Sequence, residues 1–242
     1  MSFPFSDAPP GGRSRRELRE QNRPQKDKPV PLADLLGEPS TAGSNTGAPT
    51  ILTVCTGNIC RSPQAEVLLR RRLEGVGVRV HSAGTHALVG HGMTDQAQQI
   101  AVRSGARVDA AAAHAARYLV EPLLIESDLI LTMAGEHRSH VVKMMPSRLR
   151  QTFTVREFAR LAATVTDEAI RTAADTAGDA PPARLRAAIR MLSGQRGLSL
   201  STEEDDDVID PYRRSWETYE MSAAQLLPAI DEVERVVRAA LS

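Results

Sequence analysis

A short apolar run in this chain leads directly into a loop that contains two cysteines, an arginine and the dipeptide Gly-Asn. Residues 51–54 read ILTV, a composition typical of a strand buried on both faces of a parallel sheet. The loop over residues 55–63 reads CTGNICRSP, and residues 64–73 then place apolar side chains at helical spacing. This order of strand, loop and helix predicts an α/β fold with the loop at the carboxyl end of the strand.

The alternation of strand and helix continues along the chain. Further strands are predicted at residues 78–81, 128–133 and 152–155, and further helices at 94–104, 135–144, 157–163, 183–192 and 215–240. This alternation predicts a parallel sheet flanked by helices. Residues 1–48, rich in Pro, Gly, Ser and charge, are predicted to be a disordered tail before a domain over residues 49–242. The Ala- and Arg-rich residues 164–200 are predicted to be a helical insertion in that domain.

The overall composition argues against two kinds of partner. Lys and Arg number 30 and Asp and Glu number 30, so the zero formal charge gives no reason to expect nucleic acid or an anionic membrane surface. No apolar run approaches the roughly 18–20 residues that span a bilayer, and the N-terminus lacks the apolar core of a signal peptide. We therefore expect a cytoplasmic protein without a nucleic-acid or membrane partner. The last predicted helix has no long heptad repeat, which favours a monomer.

The loop carries the groups needed for chemistry on a phosphate. Backbone amides at a helix N-terminus can wrap a dianion, and Arg61 can clamp two of its oxygens. The candidate phosphate-binding residues are Thr56, Gly57, Asn58, Ile59, Cys60, Arg61 and Ser62. Cys55 would then lie beneath the phosphorus, where its thiolate could attack to form a phosphocysteine that water hydrolyses. The Ser62 hydroxyl could hydrogen-bond the Cys55 sulfur, and Asn58 could hold the loop from a left-handed conformation.

The second loop cysteine has two open interpretations. Cys55 and Cys60 are the chain's 2 cysteines and lie in one segment, so a bridge between them would close almost no chain. This spacing favours chemistry over a structural disulfide framework. Cys60 could form a reversible disulfide that protects Cys55 from overoxidation, or it could pack beneath the loop.

The loop resembles the phosphate-binding loop of the low-molecular-weight protein tyrosine phosphatases, whose pattern Cys-x-Gly-Asn-x-Cys-Arg-Ser-Pro it matches throughout. The resemblance covers about residues 50–240 except 164–200, and continues in SAGT at 82–85, DLILTM at 128–133, REFARL at 156–161 and DPY at 210–212. It implies a four-stranded parallel sheet of the phosphotyrosine phosphatase I type. It also implies hydrolysis of phosphotyrosine in proteins through phosphocysteine, with no metal or other cofactor.

The resemblance further implies a general acid and a substrate cleft. Asp210 stands where the family keeps the acid that protonates the leaving phenolate, and Pro211 favours an extended, presented Asp210. Tyr212 is the expected wall for the substrate ring. Relatives usually carry an aromatic residue in the opposite wall, but here that stretch reads HALVGHG, which leaves His86 or Leu88 as substitutes. No third ligand accompanies the histidines of this stretch, so no metal site is expected.

Three alternative functions remain open from the sequence. An arsenate reductase that uses an external thiol would share this loop, although Asp210 favours the phosphatase. A protein-arginine phosphatase is similar but tends to carry Thr where this loop has Ile59, whose side chain would crowd a guanidinium. A phosphate-binding adaptor that has lost catalysis is the third alternative. The expected partner is a tyrosine-phosphorylated protein, with a bacterial tyrosine kinase as one candidate.

Overall fold

A four-stranded parallel sheet forms the centre of the computed structural model, which describes residues 47–198 and 206–242. The strands are β1 (Thr50–Cys55), β2 (Arg79–Gly84), β3 (Leu129–Thr132) and β4 (Thr152–Thr154). Their order is β2-β1-β3-β4, so β1 has a parallel neighbour on each side. The predicted α/β sheet is confirmed. The predicted tail lies outside the described residues except for its last two positions, and the domain limits stay a prediction.

Helices flank this sheet. In the part of the chain that the structure describes, the α-helices are α1 (Arg61–Arg72), α2 (Asp95–Arg103), α3 (Val108–Ala112), α4 (Glu121–Glu126), α5 (Gly135–Met144), α6 (Val155–Ala162), α7 (Asp167–Asp175), α8 (Pro181–Gly194) and α9 (Trp216–Leu241). The sequence predicts six of these helices and misses α3, α4 and α7. None of the described helices combines the length and the apolar character that a bilayer crossing requires.

Alternation along the strands distributes the buried side chains between two cores. In β1, Ile51 and Cys55 belong to the larger core, whereas Leu52 and Val54 belong to the smaller one. This follows from the strand period of two, which sends successive side chains to opposite faces of the sheet. Cys55 therefore lies on the face that the larger core fills.

Helix α1 begins earlier than its apolar pattern predicts. The sequence predicts its start at residue 64, but the helix begins at Arg61 and includes Ser62 and Pro63 in its first turn. Proline is compatible with this turn because the first helical amides have no partner within the helix. The early start brings Arg61 and Ser62 onto a regular helical backbone at the edge of the loop.

The predicted insertion forms two helices that share the larger core. Helix α7 buries Ile170, and α8 buries Leu185, Ile189 and Leu192, all of them in the cluster that also contains residues of β1, β3 and α9. Helix α7 carries a start signal in its sequence, because the Thr166 side chain accepts a hydrogen bond from the Ala169 amide. The segment is thus packed into the domain and contributes to the same apolar core as the sheet.

Replacement of Ile189 by Ala should therefore destabilise the whole domain. Ile189 is fully buried, and truncation of such a side chain costs about 2–5 kcal/mol through lost burial and a residual cavity. The measurement is the free energy of unfolding in urea. The exposed neighbour Arg190 gives the control Arg190→Ala, which should change it by no more than about 0.5 kcal/mol. Equal small effects would show that residues 164–200 are dispensable for folding.

Candidate active site

Cys55 ends β1, and its thiol lies at the base of the loop that joins β1 to α1. The Sγ atom is 3.0 Å from the Ser62 hydroxyl, which returns to the strand from the first turn of α1. The hydroxyl of Thr53 also donates to the Ser62 carbonyl oxygen over 2.9 Å, so the helix start is attached to the strand itself. These contacts fix the thiol relative to the positive end of the helix dipole.

Asn58 holds the loop from inside. It is fully buried and adopts a left-handed conformation with φ of 55°, which asparagine tolerates better than most residues. Its side-chain amide donates to the Ser62 hydroxyl over 2.9 Å and to the Ser82 hydroxyl over 2.7 Å. Its side-chain oxygen accepts from the Arg117 amide over 3.0 Å. The loop is therefore tied to α1, to β2 and to the segment after α3.

The direction of these bonds determines where the hydroxyl protons point. Because Asn58 donates to Ser62 and Ser82, both hydroxyls are acceptors there and keep their protons for another partner. Ser82 donates its proton to Glu66 in a short contact. Ser62 has the Cys55 sulfur at 3.0 Å and the Ala83 carbonyl oxygen at 3.5 Å, so the sulfur is the closer acceptor. The arrangement suits a thiolate at Cys55.

Arg61 joins this loop to a second one. Its side chain is 4% exposed, and its guanidinium contacts Asp210 Oδ2 at 2.7 Å, while the Asp210 side chain is 50% exposed. A second nitrogen donates to the Val208 carbonyl oxygen over 3.0 Å. Among the described residues, the buried Nε atom has no hydrogen-bond partner. Arg61 thus keeps hydrogen-bonding capacity for an oxyanion while it connects the loop to Asp210.

The segment before Asp210 is attached to the sheet. The Val208 amide donates to the Met133 carbonyl oxygen over 2.8 Å at the end of β3. The Asp207 carboxylate accepts from the Gly135 amide at the start of α5 over 2.7 Å. Asp210 is therefore an exposed residue on a loop whose base is held at the same edge of the sheet as Cys55.

The candidate cleft residues His86 and Leu88 are bonded to the loop backbone, whereas Tyr212 neighbours Asp210. The amides of Thr85, His86 and Leu88 donate to the carbonyl oxygens of Cys55, Thr56 and Gly57, respectively, over 3.0, 2.9 and 3.0 Å. Leu88 is 36% exposed and Tyr212 is 37% exposed. The Tyr212 amide donates to the Asp210 carboxylate over 3.1 Å, which places this aromatic residue beside the acid. His86 and Leu88 thus lie beside the loop, and Tyr212 lies beside Asp210, which contacts Arg61. Their role as a substrate cleft stays a prediction.

The sequence matches the family described as low molecular weight phosphotyrosine protein phosphatase over residues 50–169. The probable phosphatase EpsP of Ralstonia solanacearum is 39% identical over 108 residues, which cover 45% of this chain and 71% of EpsP. This chain belongs to the low-molecular-weight protein tyrosine phosphatase family. Etp of Escherichia coli K12 is 45% identical over 97 residues, or 40% of this chain; the match spans 62% of Etp, just under two thirds. The YwlE arginine phosphatase of Geobacillus stearothermophilus is 25% identical with a TM-score of 0.53, covering 76% of this chain and 90% of that chain.

A buried histidine that was not predicted from the sequence supports the loop over residues 55–63, which is called the phosphate loop below. His137, on the first turns of α5, contacts the Thr56 hydroxyl at 2.9 Å through Nε2. Burial, followed by the positive charge of Arg61 and the neighbouring His140 and His86, lowers the pKa of His137 to about 3. The ring is therefore neutral at pH 7 and adds a hydrogen bond to the loop without adding charge.

Cys60 is buried on the larger-core side of the phosphate loop. Its sulfur contacts the Thr94 hydroxyl at 3.4 Å and the Tyr219 hydroxyl at 3.6 Å. Burial raises the pKa of the Cys60 thiol, and it also raises the pKa of Tyr219 to about 12. Both cysteines are free thiols in the structure. The contacts fit the packing interpretation, while the regulatory disulfide stays a prediction.

Other supporting residues were also missed because they act across the fold. His114 Nε2 donates to the Asn58 carbonyl oxygen over 2.7 Å, and the Glu66 carboxylate accepts a hydrogen bond from the Ser82 hydroxyl. Burial lowers the pKa of His114, which therefore donates as a neutral ring. Neither residue lies in a local motif that distinguishes it from ordinary polar residues. Within residues 47–198 and 206–242, no three His, Cys, Asp or Glu side chains are arranged to hold a metal ion.

A methyl group at Gly84 should displace the phosphate loop. A Cβ atom there would lie 2.5 Å from the Thr56 carbonyl oxygen and 3.0 Å from Asn58 Cβ, so the backbone must move. We expect Gly84→Ala to cost about 1–3 kcal/mol of stability and to weaken phosphate binding. Gly92→Ala is the control, because its Cβ would meet only the His114 carbonyl oxygen at 3.7 Å. Equal unfolding free energies and phosphate affinities for the two variants would contradict the close approach.

The neutral state of His137 predicts a pH dependence of stability. Its pKa of about 3 in the folded chain lies below the value of about 6.5 for an unfolded histidine. As pH falls through this window, the unfolded chain takes up the proton first and stability drops. Between about pH 7 and 4.5, wild type should lose about 2 kcal/mol more than His137→Gln. Urea unfolding at both pH values tests this, with the exposed His91→Gln as control; a pH-independent difference between wild type and His137→Gln would refute it.

Proposed function

We propose that this chain hydrolyses phosphotyrosine in proteins through a phosphocysteine, with Cys55 as nucleophile and Asp210 as general acid. The observation that carries the proposal is the convergence of three groups from distant parts of the chain. Cys55 lies at the base of the loop, Arg61 closes the loop at the start of α1, and Asp210 contacts Arg61 at 2.7 Å. In-line phosphoryl transfer requires a nucleophile, a group that binds the phosphate and an acid for the leaving oxygen, and these three residues can supply them.

In the first step, the substrate dianion binds in the loop over residues 56–62. The N-terminus of α1 and the Arg61 guanidinium supply positive charge, and the buried Nε atom of Arg61 gains an acceptor. The Cys55 thiolate attacks phosphorus, the S–P bond forms, and the bond from phosphorus to the phenolic oxygen breaks. The bound phosphate competes with Asp210 for Arg61, so the half-exposed carboxyl is released to protonate the leaving oxygen.

In the second step, water hydrolyses the phosphocysteine. Asp210, now without its proton, accepts a proton from the water as the oxygen attacks phosphorus. The S–P bond breaks, and the electron pair returns to sulfur as a thiolate. The Ser62 hydroxyl, 3.0 Å from this sulfur, donates a hydrogen bond that stabilises the departing thiolate. Inorganic phosphate then leaves the loop and the cycle closes.

The shape of the rim supports an aromatic phosphate monoester as substrate. Tyr212 and Leu88 are both partly exposed and can contact the two faces of a phenyl ring. His86 lies beside the loop, because its backbone amide donates to the Thr56 carbonyl oxygen. We expect the partner to be a tyrosine-phosphorylated protein, and a bacterial tyrosine kinase is one candidate.

Arginine phosphatase activity is the second candidate, because the fold also matches the arginine phosphatase YwlE. The proposed discriminator, Ile59, is 6% exposed and packs in the larger core. Its buried position reduces the space that it takes from a bound guanidinium, so Ile59 alone does not decide the substrate. Phosphoarginine therefore belongs in the substrate panel.

Substrate turnover by active-site variants tests the proposal. Phosphate release is measured from a phosphotyrosine peptide, a phosphoserine peptide and phosphoarginine. We expect selective turnover of phosphotyrosine that is abolished in Cys55→Ser, because no thiolate remains. Asp210→Asn should lower kcat by about 10²–10⁴-fold, with a smaller loss on p-nitrophenyl phosphate than on phenyl phosphate, because a better leaving group needs less protonation.

Two controls make this experiment decisive. Asp179 is exposed and distant in sequence from the site, so Asp179→Asn should retain wild-type kcat. Rapid acid quenching during turnover should trap phosphate on Cys55. Turnover without a trapped phosphocysteine, or equal losses on the two phenyl esters in Asp210→Asn, would contradict the assigned roles. Preferred hydrolysis of phosphoarginine would move the assignment to the second candidate.

A further inference from the structure

A cavity of about 420 Å³ lies beside the phosphate loop and shares no lining residue with it. Its polar walls come from α1, from β2 and from the segment after α3, through Glu66, Arg70, His81, Ser82, His114 and Arg117. Cavities of this size accommodate small organic molecules. The residues proposed for phosphotyrosine hydrolysis do not use this space.

The walls of the cavity carry one positive charge without a matching carboxylate. Arg70 is paired with Glu66 at 2.6 Å. Arg117 donates from Nε to the Ser82 carbonyl oxygen over 2.9 Å. Glu66 and Glu126 are its nearby carboxylates, and Glu66 is the one that already pairs with Arg70. Burial lowers the pKa of Arg117, yet a guanidinium remains charged at neutral pH. The lining thus holds two guanidinium groups, Arg70 and Arg117, against the single carboxylate of Glu66, and an anion in the cavity would balance the excess positive charge.

The pKa values of the two cavity histidines, His81 and His114, are both lowered, with nearby Arg117 among the causes. Burial, followed by the charges of Arg117, Arg70 and Arg79, lowers the pKa of His81 to about 4. Burial also lowers the pKa of His114. Both rings are neutral at pH 7, so they can form hydrogen bonds but add no charge to the cavity. The attraction for an anion comes from Arg117.

The remaining walls are small and apolar. Ala110, Ala113, Ala115 and Ala116 line the cavity together with Val89. The short side chains at these positions leave the space open. A ligand that fits must therefore combine one anionic group with a compact body that contacts methyl groups.

We propose that this cavity binds a small organic anion, whose phosphate or carboxylate group pairs with Arg117 and whose body packs against the alanines. The site is directly connected to the phosphate loop. The Arg117 amide donates to Asn58 Oδ1 over 3.0 Å, and His114 donates to the Asn58 carbonyl oxygen over 2.7 Å. An occupant of the cavity would therefore contact two residues, His114 and Arg117, that are hydrogen-bonded to Asn58.

Sulfate is a suitable probe, because it carries the tetrahedral dianionic charge of a phosphate group and is not hydrolysed. Amide NMR shifts are followed during titration with sulfate, at constant ionic strength set by chloride. We expect residues 113–117 to shift with their own saturation curve, separate from that of residues 56–62. The shifts at 113–117 should persist in Arg61→Ala, whereas those of the phosphate loop should weaken. Since binding alone is measured, the result does not depend on whether the chain hydrolyses phosphotyrosine.

A matched pair of variants at Ala113 decides the assignment. Ala113 is exposed and directly follows α3, so it tolerates a longer side chain. Ala113→Glu places a carboxylate in the cavity beside Arg117 and should weaken sulfate binding at residues 113–117 by about tenfold or more. Ala113→Gln has nearly the same size without the charge and should keep binding within about threefold. Equal affinities of the two variants, or no shifts at 113–117 in wild type, would overturn the proposal.

Discussion

The hydrogen bonds of the buried Asn58 side chain hold the loop of the candidate active site in place. The side-chain amide of Asn58 donates hydrogen bonds to the hydroxyls of Ser62 and Ser82. The Ser62 hydroxyl in turn faces the Cys55 sulfur, and the Ser82 hydroxyl donates to Glu66. Each such bond contributes about 1 kcal/mol, but an unpaired buried partner costs about 1–3 kcal/mol. Loss of Asn58 would therefore leave both hydroxyls without their donor. The shape of the loop therefore depends on a polar network in which the loss of one member leaves others without a partner.

The parallel sheet makes this network possible, because its strand ends meet at one edge. β1 supplies Cys55, β2 supplies Ser82 and Gly84, and the end of β3 supplies the Met133 carbonyl oxygen that holds the loop before Asp210. The paired register of Cys55 with Gly84 brings β2 so close to the phosphate loop that a side chain at position 84 does not fit. Residues that lie far apart in the sequence thus meet at one edge of the sheet.

Sequence patterns predict the parts of this structure that are local and periodic. The strand at 51–54, the phosphate loop and the helices with regular apolar spacing are found in this way. Helices α3 and α4 are missed because one is a short run of alanines and the other spans Glu121–Glu126 with a proline in its first turn. Helix α7 could have been found from Thr166, Asp167 and Glu168, an N-cap followed by an acidic first turn. His137, His114 and Glu66 could not, because their importance lies in contacts between elements that only the folded chain brings together.

Arg61 shows how the proposed mechanism could use a competition between partners. A single buried guanidinium contacts the Asp210 carboxylate and the Val208 carbonyl oxygen and leaves Nε without an acceptor among the described residues. A bound phosphate dianion is a stronger and better-oriented acceptor than one half-exposed carboxylate. Under the proposed mechanism, substrate binding and the preparation of the acid are therefore one event, and they depend on the same arginine that the early start of α1 brings into the loop.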